Sequence, residues 1–210
     1  MIEIKNLNIK YIEKFYSIYN FNLKIEKNTL LLGDQLSGGY ALLRAIANVN
    51  KSYKGEILLD GKPIKKVSAK KLNLAYLPET PTLFNTFSVR KNIEYTLKIR
   101  HYKKAERTQL VNKIIEKYCI DFENEKVKNL SVSKQKIVAL LRTVVRKPSI
   151  LLIEHLFADL DKKYIELANK IIADIMPETL IIDCEIVQQN CHKNFDVYSL
   201  QNGSLVSDKE

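Results

Sequence analysis

Residues 31–47, LLGDQLSGGYALLRAIA, carry the spacing of a loop that cradles phosphates. Such a loop is written G-x-x-x-x-G-K-[ST]: backbone amides close on the phosphate oxygens, the lysine reaches the terminal phosphates, and the hydroxyl binds Mg²⁺. Gly33 and Gly38 fill the two glycine positions, but Gly39 stands where the lysine belongs and Tyr40 where the hydroxyl belongs. At 4 Å and an effective dielectric near 20, the missing lysine would contribute about 4 kcal/mol per unit charge, or roughly a thousandfold in affinity. A phenol as long as that of Tyr40 cannot put its oxygen where a serine would. Backbone N–H groups of Gly38 to Ala41 open a helix with Leu42, Leu43 and Ile46 on one face, which leaves only weak anion binding.

Little other chemistry is spelled out. Cys119, Cys184 and Cys191 are odd in number and lack metal-ligand spacing, so they are expected to be incidental thiols in a reducing compartment. The net charge of +10 raises the question of nucleic acid, yet the lysines are spread out and form no aromatic-interleaved basic stripe, which argues against that partner. With 210 residues and 46% hydrophobic content, the chain is expected to form one substantial packed domain, with disorder only at its last few residues. No apolar run approaches the roughly 18–20 residues of a membrane span, and the first residues, MIEIKNLNIKYIEK, do not resemble a secretory signal. The chain is therefore read as cytoplasmic.

The elements around the loop follow from periodicity. IEIKNLNIKY and SIYNFNLKI alternate as strands, and GEILLDGKPI reads as another strand with a D-G turn. LNLAYLP is a short apolar run stopped by Pro78. SVRKNIEYTLKIR and, after a polar KKAER, TQLVNKIIEKYCI place apolar residues three and four apart, predicting two amphipathic helices. VSKQKIVALLRTVVRK predicts a third helix closed by Pro148, SILLI a buried strand, KKYIELANKIIADI a helix, and TLIIDC a strand again. Strands and helices thus alternate at both ends of the chain, around a helical block at about 88–147.

In that order the pieces resemble the nucleotide-binding domain of ABC transporters over nearly the whole length. GEILLDGKPI resembles the antiparallel segment after the phosphate loop. YLPETPTLFNTFSVRKNI resembles the loop after the third strand, with Glu79 where the family has glutamine. NLSVSKQKIVALLRTVVRKPSILLIEHLFADLD resembles the LSGGQ signature helix running into the second carboxylate motif and the SALD loop, with 24 positions from Leu130 to Glu154 as in the family pattern. The resemblance implies a P-loop NTPase fold of the ABC ATPase type: a mixed α/β sheet core, an N-terminal antiparallel β subdomain and a helical subdomain, all within a single domain of residues 1–210.

The departures from the family pattern all concern phosphate chemistry. Where the family has aspartate followed by a catalytic glutamate, this chain has Glu154 and His155. Glu154 is one methylene longer and would reach a metal only through water, while His155 stands where a base would polarise water. The switch histidine after the last core strand is replaced by Glu185. With Glu79, two carboxylates then stand where a phosphate would go, and like charge opposes the ligand. In the signature, Leu130, Ser131, Val132, Ser133 and Lys134 replace LSGGQ. Ser131 keeps a donor for a partner's nucleotide, but Val132 takes a glycine position. Tyr11 matches the aromatic that stacks on adenine, and Asp161 the aspartate lining the dimer interface.

Leu83, Phe84 and Phe87, in LFNTFSVRKNI, match the surface that receives coupling helices of the membrane subunits. The resemblance therefore implies a catalytically degenerate ABC subunit of bacterial type, peripheral at the inner face of the cell membrane. It would dock on integral membrane subunits and pair with a second ABC ATPase chain, in a homo- or heterodimer, for export or import, with at most weak binding of ATP and Mg²⁺. Two alternatives stand beside this reading. One is a slow divergent NTPase using Glu154, His155 and backbone anion binding; the other is a regulatory scaffold without a transporter.

Overall fold

The β-branched, alternating N-terminal segments form a long hairpin, β1 (Ile2–Ile12) and β2 (Phe15–Ile25), paired from Ile2 opposite Ile25 to Ile12 opposite Phe15 with register shifts after Ile4. The structure is a computed structural model that describes residues 1–12, 15–34, 36–67 and 72–206, with the backbone alone at 11, 12, 15 and 16. Strict alternation would turn Leu7 and Ile9 to solvent, because Ile2 and Ile4 already set the buried face. Asn6, at φ 48°, and Asn20, at φ 45°, break the register and return Leu7, Ile9, Ile18 and Phe21 to the core. The predicted GEILLDGKPI strand is two strands, β4 (Lys54–Leu59) and β5 (Lys62–Pro63), joined at Asp60 and Gly61, and the sheet order is β2-β1-β4-β5.

The chain divides into two compact units, residues 1–76, 149–155 and 180–210, and residues 77–148 and 156–179. The first unit contains the hairpin sheet and most of a six-stranded sheet ordered β10-β9-β3-β8-β7-β6. These strands are β3 (Thr29–Leu32), β6 (Leu74–Leu77), β7 (Ile150–Glu154), β8 (Leu180–Glu185), β9 (Asp196–Gln201) and β10 (Ser204–Val206). β3 runs parallel to β8 and β9, and β7 runs parallel to β8. Periodicity predicts β8 and places no element after it, yet residues 196–206 form two further strands. β9 joins the far side of β3 and returns through Asn202 and Gly203 to β10, a hairpin signalled by an overlooked N-G pair.

Both sheets share one core with α1 (Gly39–Ile46). Leu42, Leu43 and Ile46 pack in the same cluster as Ile4 and Phe21 of the hairpin sheet and Leu152 and Ile182 of the parallel strands. This is the expected α/β architecture with an antiparallel β subdomain. Because β3, β8 and β7 are parallel and in register, their carboxyl ends bring residues 33, 34 and 36–38, Glu185 and Glu154 to one edge, where open α/β sheets place ligands.

The second unit holds α2 (Val89–Lys98), α3 (Lys104–Lys117), α4 (Val132–Val144) and α5 (Lys162–Ile175). Ser88 and Ser131 cap α2 and α4, each hydroxyl accepting from the N–H three residues on. α3 starts earlier than predicted: residues 104–107 are helical, because Arg107 donates to Glu94 Oε1 at 2.9 Å and to the Tyr102 carbonyl at 2.9 Å, tying the polar first turn down. No helix among the described residues is long and apolar enough to cross a membrane.

Candidate functional site

The loop after β3 bonds mainly to itself. Asp34 organises it: the Leu36 N–H donates to Asp34 Oδ1 at 2.9 Å, and the Ser37 N–H donates to the Asp34 carbonyl at 3.1 Å. The Gly39 N–H faces Ser37 Oγ at 3.4 Å, while the Gly33 N–H donates to the Glu185 carbonyl at 3.1 Å. Amides that could converge on an anion are thus turned to internal acceptors at 33, 36, 37 and 39. Gly38 opens α1 at φ 96°, and a Cβ there would meet the Ser17 carbonyl at 2.1 Å, so this glycine is required by both conformation and space.

Gly39 is required by space alone. Its backbone is ordinary helix, but a Cβ would lie 2.3 Å from Cys184 Sγ, in the fully buried middle of the parallel strands. Burial pushes the Cys184 thiol well above its usual range, and the neighbouring carboxyl groups push it further, so it is a neutral filler rather than a nucleophile. Tyr40 is half-buried with its ring edge-on to the His155 imidazole at 4.8 Å, and Ala41 is half-buried beside it in α1.

Glu154 ends β7 fully buried and has a cation of its own chain against it. Arg44, in the last turn of α1, places Nε 3.4 Å from Glu154 Oε1 and donates to the Tyr76 hydroxyl at 3.2 Å. The hydrogen bond to Tyr76 raises the Arg44 pKa, and the Glu154 charge adds to it. Burial first, and then the Glu154 carboxylate, raises the Tyr76 phenol above its usual range. His155 turns back at φ 41° and donates its N–H to the Cys184 carbonyl at 2.9 Å, and its side chain is 1% exposed. Glu185, also buried, lies opposite Leu32 at the β3 end.

A nucleotide triphosphate with Mg²⁺, the group that the family resemblance implies, does not fit this donor set. No side-chain cation is present at residues 33–41, the amides of Leu36, Ser37 and Gly39 have acceptors within the loop, and the carboxylate that could face a metal is paired with Arg44.

Two residues before Glu185 on β8, Asp183 forms a fully buried pair with His192, Oδ2 to Nε2 2.9 Å. The Gln189 N–H donates to His192 Nδ1 at 3.1 Å, which leaves the proton on Nε2, facing Asp183. Burial lowers the His192 pKa to about 4 and raises that of Asp183, so this is a neutral imidazole clamping the turn after β8.

Glu79, Ser131, Asp161, Leu83, Phe84 and Phe87 belong to the second unit. Glu79 is half-buried, and the Ser131 hydroxyl is engaged as the α4 cap. Val132 is 55% exposed. Asp161 precedes α5 without capping it; its carboxylate instead accepts from Ser133 of α4. Lys136, also on α4 and buried, donates to the carbonyls of Ala158 at 2.6 Å and Leu156 at 3.4 Å, holding the segment that leads to Asp161. Phe84, 39% exposed, stacks with Phe87 and Tyr95 at 5.0 and 4.6 Å, and Leu83 is half-buried beside them. Buried Asn92 fixes that loop by accepting from the Phe84 N–H and donating to the Phe84 and Ser88 carbonyls. The side chain of Tyr11 lies outside the described residues.

Sequence reasoning missed Arg44, Tyr76, Cys184, Ser133, Lys136 and Asn92. The available signals were faint: Arg44 is the one charge in the otherwise apolar α1, and Lys136 interrupts the buried face of α4.

Comparison with known proteins adds the relatives. Residues 16–155 match the family described as ABC transporter. The chain is 32% identical over 162 residues to the molybdate/tungstate import ATP-binding protein of Pyrococcus horikoshii, covering 77% of this chain and 47% of that one. It is also 32% identical over 161 residues to an Fe(3+) ions import ATP-binding protein of Haemophilus influenzae, covering 75% and 49%. The chain thus spans about half the length of these curated relatives. An ATP-binding cassette solved as a dimer bound to ADP and Pi superposes with a TM-score of 0.87 at 19% identity, covering 100% of this chain and 98% of that one, which establishes the shared fold.

Proposed function

Since the chain belongs to the ABC transporter family, we propose that it is a catalytically degenerate ATP-binding subunit of an import system, in which residues 1–210 form one nucleotide-binding domain. The observation that carries the reading is the Arg44 guanidinium 3.4 Å from the buried Glu154 carboxylate. A carboxylate that could hold a metal is matched instead by a fixed cation, and that arrangement requires no nucleotide. The internal acceptors of the Leu36, Ser37 and Gly39 amides and the bulk of Tyr40 support the same conclusion.

In this reading the chain works as a geometric partner. Phe84, Phe87 and Leu83, pinned by Asn92, receive integral membrane subunits at the cytoplasmic face. The Asp161 segment and Ser131 face a second ABC chain, identical or not, that supplies hydrolysis. The names of the relatives, which import molybdate, tungstate or Fe(3+), support import over export. Catalysis by His155 is disfavoured by its burial against Tyr40: a base 1% exposed has no path to a substrate water.

Calorimetric titration of the purified chain with Mg-ATP, together with a phosphate-release assay, tests the reading. No binding at micromolar nucleotide and no release are expected. Micromolar binding, or release abolished by His155→Ala, would replace this reading with that of a slow NTPase.

A further inference from the structure

Restoring the two departed residues of the phosphate loop looks like the direct way to rearm it, but the packing around Gly39 makes that insufficient. A Cβ at 39 would meet Cys184 Sγ at 2.3 Å, whereas Cys184 Cβ lies at 3.7 Å and Ser37 Oγ at 3.6 Å, both ordinary contacts. The obstruction is therefore a single sulfur atom. Cys184 is fully buried and sits opposite Leu31 of β3 and Glu154 of β7, so its one side-chain rotor turns only into packed surroundings. α1 starts against β8 at this point, and glycine at 39 is what admits the thiol.

We infer that Cys184 is the specificity-determining residue of this site: its thiol occupies the space needed by any side chain at position 39 and so bars a phosphate-binding lysine from the loop. Gly39 and Cys184 are then one interlocked pair rather than a lost lysine beside an incidental cysteine. The same sulfur excludes the lysine's first methylene and holds the helix start in place. The inference rests on the degenerate-subunit reading above and adds the residue that keeps the site degenerate.

A double-mutant cycle with Gly39→Ala and Cys184→Ala tests the contact by thermal denaturation of the full chain, without nucleotide. Gly39→Ala alone is expected to lower Tm by about 5 °C, although alanine is the better helix residue. In the Cys184→Ala background the same substitution should be neutral or stabilising, because the nearest atoms are then at ordinary distance. Additive effects, or a Gly39→Ala variant as stable as the parent, would overturn the inference. A second arm uses Mg-ATP titration of Gly39→Lys/Tyr40→Ser and of that variant with Cys184→Ala added. The triple variant is expected to bind at least roughly 100-fold more tightly than the double, a difference of about 2.7 kcal/mol. Equal affinity of the two, at unchanged Tm, would sink the proposal. Mg-ATP binding by the parent would instead defeat the degenerate-subunit reading, while non-additivity in the thermal cycle would still establish the contact between Gly39 and Cys184.

Discussion

Ser133 and Asp161 hold each other by two hydrogen bonds, the Asp161 N–H donating to Ser133 Oγ at 3.2 Å and the Ser133 hydroxyl donating to Asp161 Oδ2 at 3.0 Å. One hydroxyl thereby fixes the backbone and the carboxylate of the residue before α5 to the first turn of α4. Ser133→Ala removes both bonds and leaves the Asp161 N–H without its acceptor. The expected cost is about 2 kcal/mol, read as a lower urea midpoint at unchanged m-value. Unchanged stability would mean that solvent satisfies both groups and the tie is incidental.

Arg44→Met keeps most of the aliphatic stem and removes the charge facing Glu154. Removing one partner of an ion pair whose other member is buried is strongly unfavourable; about 3 kcal/mol is expected, the lower end of the range because half of Arg44 meets solvent. Glu154→Gln in the same background should recover most of the loss, since it removes the buried negative charge that Arg44 opposes. Chemical denaturation of the two single variants and the double one measures the coupling, and strict additivity would mean that Arg44 contributes packing alone.

The elements were legible where hydrophobic spacing is long and regular. α2, α4, α5, β7 and β8 follow from apolar residues three or four apart or from short all-apolar runs, because each buries one continuous face. β9 and β10 escaped because only Leu200 in β9 is buried, while Val197 and Val206 remain exposed at the sheet margin. In the loop, the residue types at 39 and 40 were legible as departures from a pattern. What they face was not: Cys184 and Arg44 act through contacts between residues 145 and 110 positions apart, and no local spacing encodes those.

The buried Asp183–His192 pair predicts a distinctive pH response. His192 titrates at about 4 in the folded chain and near 6.5 when unfolded, so on its own it makes folding less favourable as pH falls from 6.5 to 4, by up to roughly 1.4 kcal/mol per pH unit. Asp183 is shifted upward by burial and has the opposite sign: its folded form binds a proton that the unfolded form gives up. Within that window Asp183 opposes His192, and the parent chain should show a shallower slope than His192 alone would give. Asp183→Asn keeps an acceptor for His192 Nε2–H and abolishes the opposing titration. Its urea midpoint should fall steeply between pH 6.5 and 4. Parallel profiles for parent and variant would mean that Asp183 contributes no opposing titration and would overturn the compensation.

Phe84 and Asn92 should separate surface from scaffold. Asn92 is fully buried and accepts from the Phe84 N–H, so Asn92→Ala orphans that N–H, while the Phe84 carbonyl keeps the Phe87 N–H as a donor, and the substitution is expected to cost about 2 kcal/mol. Phe84 itself, 39% exposed, loses mainly its ring contacts with Phe87 and Tyr95, so Phe84→Ser should cost about 1 kcal/mol. If these aromatics receive a membrane subunit, Phe84→Ser should also abolish co-purification with that subunit while the chain stays folded. A Phe84→Ser loss as large as that of Asn92→Ala would instead place the ring in the core of the unit, because a contact surface can be polar in the free chain and a core position cannot.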